Sequence, residues 1–323
     1  MRVSSAGSRV PSRLARRVRI PAIAAPMLSV SGPELVTAAC AHGVIGAFPT
    51  VNARTSAELD EWLESFSEAD EGSFAPWCPN LILRSPRLEA DLQSVISHHA
   101  ELVITSVGSP ARVIVPLHDA GCLVLADVAT LRHAHRAAEA GADGLVLLTA
   151  GAGGQTGWMN PFAFVRAVRR WYQGLIVLAG GIADGYSLAA ARVLGADLGY
   201  LGTRFIATQE SRADPAYKQM LVHGSLDDVI LTRAFTGLDT SMLRASIEAA
   251  GLDPATLDQD VTPETAAVLF GSGAAGPRRW THIWSAGHSV SGVSDVPAVA
   301  ELVDRLEREL RATEEELTRG DTR

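Results

Sequence analysis

Short apolar runs rich in Val, Ile and Leu recur along this chain, each followed by a segment whose apolar residues return with helical spacing. The runs are Ile20–Pro26, Val44–Pro49, Trp77–Leu83, Leu102–Val107, Cys122–Val128, Gly144–Thr149, Leu175–Ala179 and Leu198–Gly202. They are continuous rather than alternating, as parallel strands covered on both faces are. Between them lie Pro33–His42, Ser56–Phe66, Pro86–His99, Pro110–Ala120, Leu131–Ala140, Pro161–Tyr172 and Tyr186–Leu194. Several open with proline and many are closed by glycine, the start and stop signals of helices. Eight such units in about 210 residues predict an α/β protein, a (β/α)8 TIM barrel, in preference to an open doubly wound sheet.

After the eighth run the pattern changes. Residues 209–251 have helical spacing, with Tyr217, Met220, Leu221 and Val222 on one side. Asp-Pro and Thr-Pro turns and a Gly/Ala loop follow, then Trp280–His288, and Val296–Leu317 closes the chain as a charged amphipathic helix. The expected organisation is therefore a flexible extension at 1–19 and a barrel at 20–208. A helical cap inserted after the eighth strand follows at 209–290, and a C-terminal helix at 291–323 returns to the barrel.

Three predicted strands end in glycine. Gly144–Thr149 runs into Ala150-Gly151-Ala152-Gly153-Gly154-Gln155-Thr156-Gly157, and four glycines in so short a loop let the backbone approach a flat or anionic ligand. Ala179-Gly180-Gly181-Ile182 and Leu201-Gly202-Thr203-Arg204 end the last two strands, where barrels commonly bind phosphate.

Composition narrows the functional classes. Hydrophobic residues make up 47% of the chain, enough for a sizeable core, yet no apolar run nears the ~18 residues of a membrane span. A net charge of −8 argues against nucleic acid as a partner. Cys40, Cys78 and Cys122 are far apart, with no metal-ligand spacing, and are expected to be reduced thiols of a cytoplasmic protein. Lys218, the one lysine, lies in a polar segment, which argues against Schiff-base catalysis. The N-terminal arginines precede no apolar stretch of the secretory kind.

Taken in order, Ala24-Ala25-Pro26-Met27, the Ala-Gly-Ala-Gly-Gly-Gln loop, Ala179-Gly180-Gly181-Ile182-Ala183, Gly202-Thr203-Arg204-Phe205 with Gln209-Glu210-Ser211, and Trp284-Ser285-Ala286-Gly287 make the chain resemble the nitronate monooxygenase (2-nitropropane dioxygenase) family of FMN-dependent TIM barrels. That family also includes flavin enoyl-acyl carrier protein reductases and NAD(P)H:quinone reductases. The resemblance runs from Ile20 to about Leu306. It implies an FMN site in which Ala25, Pro26 and Met27 present backbone to the isoalloxazine ring and Asn80 hydrogen-bonds it. Gly153 and Gly154 would approach the ring or ribityl chain. Gly180, Gly181, Gly202 and Thr203 would hold the phosphate. Trp158 and Met159 are candidates for the wall of the substrate pocket, with Trp280, Trp284 and Phe270 serving the same pocket from the cap.

Three positions depart from the family pattern. Gln155 stands where the family has its catalytic histidine, and an amide orients and polarises but does not titrate. His288 stands where the family has glutamine, so it either faces the flavin and takes over the titrating role, or caps a helix or binds a backbone carbonyl. Asp127 stands where relatives often carry lysine, and is a candidate acid/base or substrate-hydrogen-bonding group and flavin contact, or else a carboxylate satisfying local amides at a strand end. Arg204 either pairs with FMN or braces the barrel end. The implied activity is FMN-dependent oxidation of a small nitronate or similar acidic carbon compound with O2. Two alternatives stand beside it: an NAD(P)H-dependent flavin reductase of an enoyl thioester or quinone, and a non-catalytic FMN-binding barrel. The expected partners are small molecules, in a monomer or homodimer, with no metal.

Overall fold

The computed structural model describes residues 9–70 and 72–320. Eight parallel strands close into a barrel in chain order: β1 (Ala22–Ala24), β2 (Ile45–Pro49), β3 (Trp77–Ile82), β4 (Leu102–Ser106), β5 (Leu123–Val128) and β6 (Gly144–Leu148) come first. A two-residue strand, β7 (Gly154–Gln155), leaves the barrel, and β8 (Leu175–Ala179) and β9 (Leu198–Leu201) complete it against β1. All eight apolar runs read from the sequence are barrel strands, each within two residues at either end.

The strands are apolar throughout because both of their faces are covered. Ala22, Ala24, Val103, Val124, Leu145, Leu147, Ile176 and Leu178 point outward and pack against the surrounding helices. Ile23, Ile45, Cys78, Leu102, Ile104, Leu125, Val146 and Val177 point inward and fill the barrel. Alternation with a period of two persists, but between two dry environments.

The N-terminal segment belongs to that interior cluster. Residues 1–8 lie outside the described residues, but residues 9–19 are docked rather than loose. Val10 and Leu14, the latter 1% exposed in the short helix Ser12–Ala15, join the residues that fill the barrel. Arg19 pairs with Asp304 at 2.7 Å and with Glu307 of the C-terminal helix.

The eighth barrel helix is the last element of the chain. Helix Val299–Gly320 lies against both Gly185–Leu194 and Pro33–Ala41, burying Val299, Leu302, Val303, Leu306 and Leu310. Gly185 is needed at this crossing: a Cβ there would stand 2.2 Å from the Leu310 amide nitrogen.

Residues 209–290 lie between the last strand and the last helix, and they are not helical throughout. Besides helices Pro215–His223, Arg244–Ala249 and Pro263–Phe270, they contain β10 (Val229–Thr232) and β11 (Thr240–Leu243). These pair antiparallel with each other, and β11 pairs with β7, so the cap's sheet is completed by the barrel's own glycine loop.

Candidate functional site

Each barrel strand ends in an inward-facing rim position: Ala25, Pro49, Asn80, Ser106, Asp127, Leu148, Ala179 and Tyr200. Together they floor a cavity of about 450 Å³ at the C-terminal ends of the strands, where barrel ligands bind. Its walls are the three glycine loops (Gly151–Gln155, Gly180–Gly181 and Gly202–Thr203). The cap covers it with Tyr217, Leu238, Arg279, Trp280, Trp284 and Ser285.

The glycines shape this space directly. Gly181 has φ +75° and nothing within 4 Å of where a Cβ would sit, so its missing side chain is open room beside the ligand site. Gly153 and Gly287 interlock instead: a Cβ on Gly153 would lie 2.8 Å from the Gly287 nitrogen, and one on Gly287 would lie 2.6 Å from the Gly151 carbonyl. The Gly287 N–H donates to the Thr203 hydroxyl at 3.0 Å. That hydroxyl, already accepting, keeps its own proton to donate elsewhere.

Polar groups on the floor are few and oriented. Asn80 is buried and its Oδ1 accepts from the Ser106 hydroxyl at 3.0 Å, which turns the amide's NH2 donors away from Ser106. Asp127 sits on β5 with Oδ1 enclosed and without a hydrogen bond among the described residues. Burial pushes its carboxyl up to about 7. Burial also raises the phenols of Tyr200, well above its usual range, and Tyr217, so neither ionises near neutral pH. Asp127 is thus the cavity side chain whose charge changes near pH 7.

The sequence candidates divide accordingly. Ala25, Pro26, Met27, Asn80, Asp127, Gly153, Gly154, Gln155, Gly180, Gly181, Gly202 and Thr203 all line the cavity. Met27 differs in how it does so. Its N–H donates to the Ser31 hydroxyl and its carbonyl accepts from Asn52, so its backbone is occupied by the local turn. Gln155 is solvent-exposed at the cavity wall, held on β7 opposite Thr240.

Five candidates fall elsewhere. Trp158 is 74% exposed and Met159 packs in the outer cluster between strands and helices, so neither forms the pocket wall. Chain proximity to the loop misleads here, because the backbone has already turned back toward helix Pro161–Arg169. His288 is exposed at the start of a short 3-10 helix, with its ring against the bare Cα of Gly151, and does not face the cavity. Phe270 packs edge-on against Phe235 within the cap. Arg204 points away from the cavity to Asp295 at 3.3 Å and braces the barrel end.

Rim residues Ser106 and Tyr200 were absent from the sequence reading, although counting two residues on from a buried inward position identifies both. Arg84 and Arg279, also in the lining, carry no such signal.

Fold and site together define a barrel enzyme with a capped ligand cavity at its C-terminal rim. Residues 81–309 match the family model for nitronate monooxygenase. A nitronate monooxygenase of Paraburkholderia phytofirmans is 29% identical, over 92% of this chain and 94% of its own. Nitroalkane oxidase from Streptomyces ansochromogenes superposes with a TM-score of 0.77 at 25% identity, over 95% of this chain and 100% of that one. FabK from Thermotoga maritima shares the fold, with a TM-score of 0.78 at 24% identity over 97% of this chain and 98% of its own. The chain belongs to the nitronate monooxygenase family and is an oxidoreductase acting on small molecules. No helix among the described residues is long and apolar enough to cross a membrane.

Proposed function

We propose that the protein uses FMN to oxidise a small nitronate, or a similarly acidic carbon compound, with O2 as the electron acceptor. The observation that supports this best is the glycine-walled cavity itself. It joins turns stripped of side chains, as an anion cradle requires, to a floor with one carboxyl of near-neutral pKa.

FMN, when bound, supplies the electron sink between substrate and O2. The residues present fit it. Backbone amides of Gly180, Gly181 and Gly202, with the spare hydroxyl proton of Thr203, suit a phosphate dianion. The Asn80 amide donates toward a heterocycle's acceptors, and Tyr217 stacked on Trp284 at 4.9 Å gives the cap side a flat apolar wall.

Proton handling follows from the same lining. Gln155 cannot remove a proton from a neutral nitroalkane. A nitronate arrives already deprotonated and needs only to be oriented, which the Gln155 amide can do from the wall of the cavity. Asp127, half protonated near pH 7, is the group able to hold or release a proton at the floor.

The test is the visible spectrum of the purified protein, followed by oxygen uptake with propyl-2-nitronate and propionate-3-nitronate. Flavin bands and nitronate-dependent uptake are expected. A colourless protein that refuses FMN, or FMN-loaded protein that NAD(P)H reduces while nitronates do not, overturns the reading.

A further inference from the structure

Three charged side chains line the cavity: Asp127 on the floor, Arg84 and Arg279. In a chain of net charge −8 the wall thus carries two cations, and its one carboxyl is half neutralised at pH 7. Arg84 is exposed and makes no ion pair among the described residues. Arg279 belongs to the cap, is half-buried, and donates Nη1 to the Phe235 carbonyl at 2.8 Å. It makes no ion pair with any carboxylate among the described residues.

Among the described arginines whose pKa burial lowers, Arg279 alone lacks an ion pair. Burial lowers the guanidinium pKa of Arg169, Arg204 and Arg279 alike. Arg169 has Asp197 at 2.6 Å and Arg204 has Asp295 at 3.3 Å, each an attraction that offsets part of the desolvation. For Arg279 burial acts alone. A guanidinium has five donors, and a single carbonyl uses few of them. Trp280 adopts φ +66°, a left-handed conformation that non-glycine residues rarely hold, and the consecutive residues Arg279 and Trp280 both line the cavity.

We propose that Arg279 binds a second anionic group of the substrate, a carboxylate, remote from the carbon that is oxidised. The assignment rests on the oxidoreductase reading above and makes the cap the selector of substrate. A planar carboxylate matches the guanidinium fork and supplies the partner that the protein withholds. Arg84, exposed in the same lining, adds steering that weakens with ionic strength.

The experiment compares propionate-3-nitronate, which carries a carboxylate, with propyl-2-nitronate, which does not, on the FMN-loaded full chain. The ratio of their kcat/KM values is expected to favour the carboxylate substrate by roughly 10- to 100-fold, the scale of a charged hydrogen bond. The effect should lie mainly in KM and shrink as salt is raised. Arg279→Gln keeps a donor for the Phe235 carbonyl and should collapse the ratio, and Arg279→Lys should restore part of it. A wild-type ratio near one overturns the proposal. So does release of FMN from Arg279→Gln, which would make the guanidinium a cofactor ligand. Should neither nitronate be oxidised, the proposed function fails by itself, and succinate is titrated against succinamide while the fluorescence of Trp280 and Trp284 is followed. Saturable quenching by succinate alone, lost in Arg279→Gln, supports the anion site. Equal responses to the two compounds overturn it.

Discussion

Asp127 is where a single side chain has the widest reach. Its carboxyl is raised to about 7 by burial, against about 3.9 for the same group in an unfolded chain. The folded state therefore holds the proton more tightly. The stability gained from that proton is whole below about pH 4 and is lost as pH rises through about 7. Asp127→Asn removes the ionisation, so the variant should melt higher than the wild type at pH 8 and close to it at pH 4, measured on the FMN-free protein. Gly181 gives a complementary case. Alanine there meets no neighbour, so its folding cost is confined to the positive φ, about 1 kcal/mol. The methyl would nevertheless occupy the proposed phosphate cradle, so Gly181→Ala should lose FMN affinity about tenfold or more in a fluorescence titration while its melting temperature falls only slightly.

At the scale of elements, the barrel strands were legible in the sequence because a strand dry on both faces is written as an unbroken apolar run, and its end as glycine. The cap was less so. β10 is half-exposed, and β11, though buried, is four residues long and pairs with two residues of a glycine loop, leaving no local signature. Site residues named from the glycine loops and strand ends reached the cavity. Trp158 and His288, inferred from chain proximity and from an exchange of residue types, did not, because a turn of the backbone decides where such a side chain goes. The N-terminal segment shows the same limit: its arginines read as a solvated tail, while Leu14 among them is a core residue. Leu14→Ala removes buried volume from the barrel interior and should cost roughly 2–5 kcal/mol in denaturant unfolding, with little change in FMN binding.

At the scale of the whole molecule, the cap is an insertion held at both ends by the barrel and in the middle by β7. Removing the chain from Val299 onward strips the barrel of its eighth helix and uncovers Leu302, Val303, Leu306 and Leu310 together with the surfaces they cover. Such a truncation should be insoluble rather than merely inactive, which expression and sedimentation would show, because an uncovered parallel barrel presents a broad apolar face.

The position of that last helix also imposes an order on biogenesis. A ribosome delivers all eight strands by Leu201, yet the seam between Gly185–Leu194 and Pro33–Ala41 stays open until another hundred or so residues have emerged. During that interval the nascent barrel is an unsealed cylinder whose exposed flank invites chaperones. Its rim cavity gains a roof before the cylinder gains its final stave.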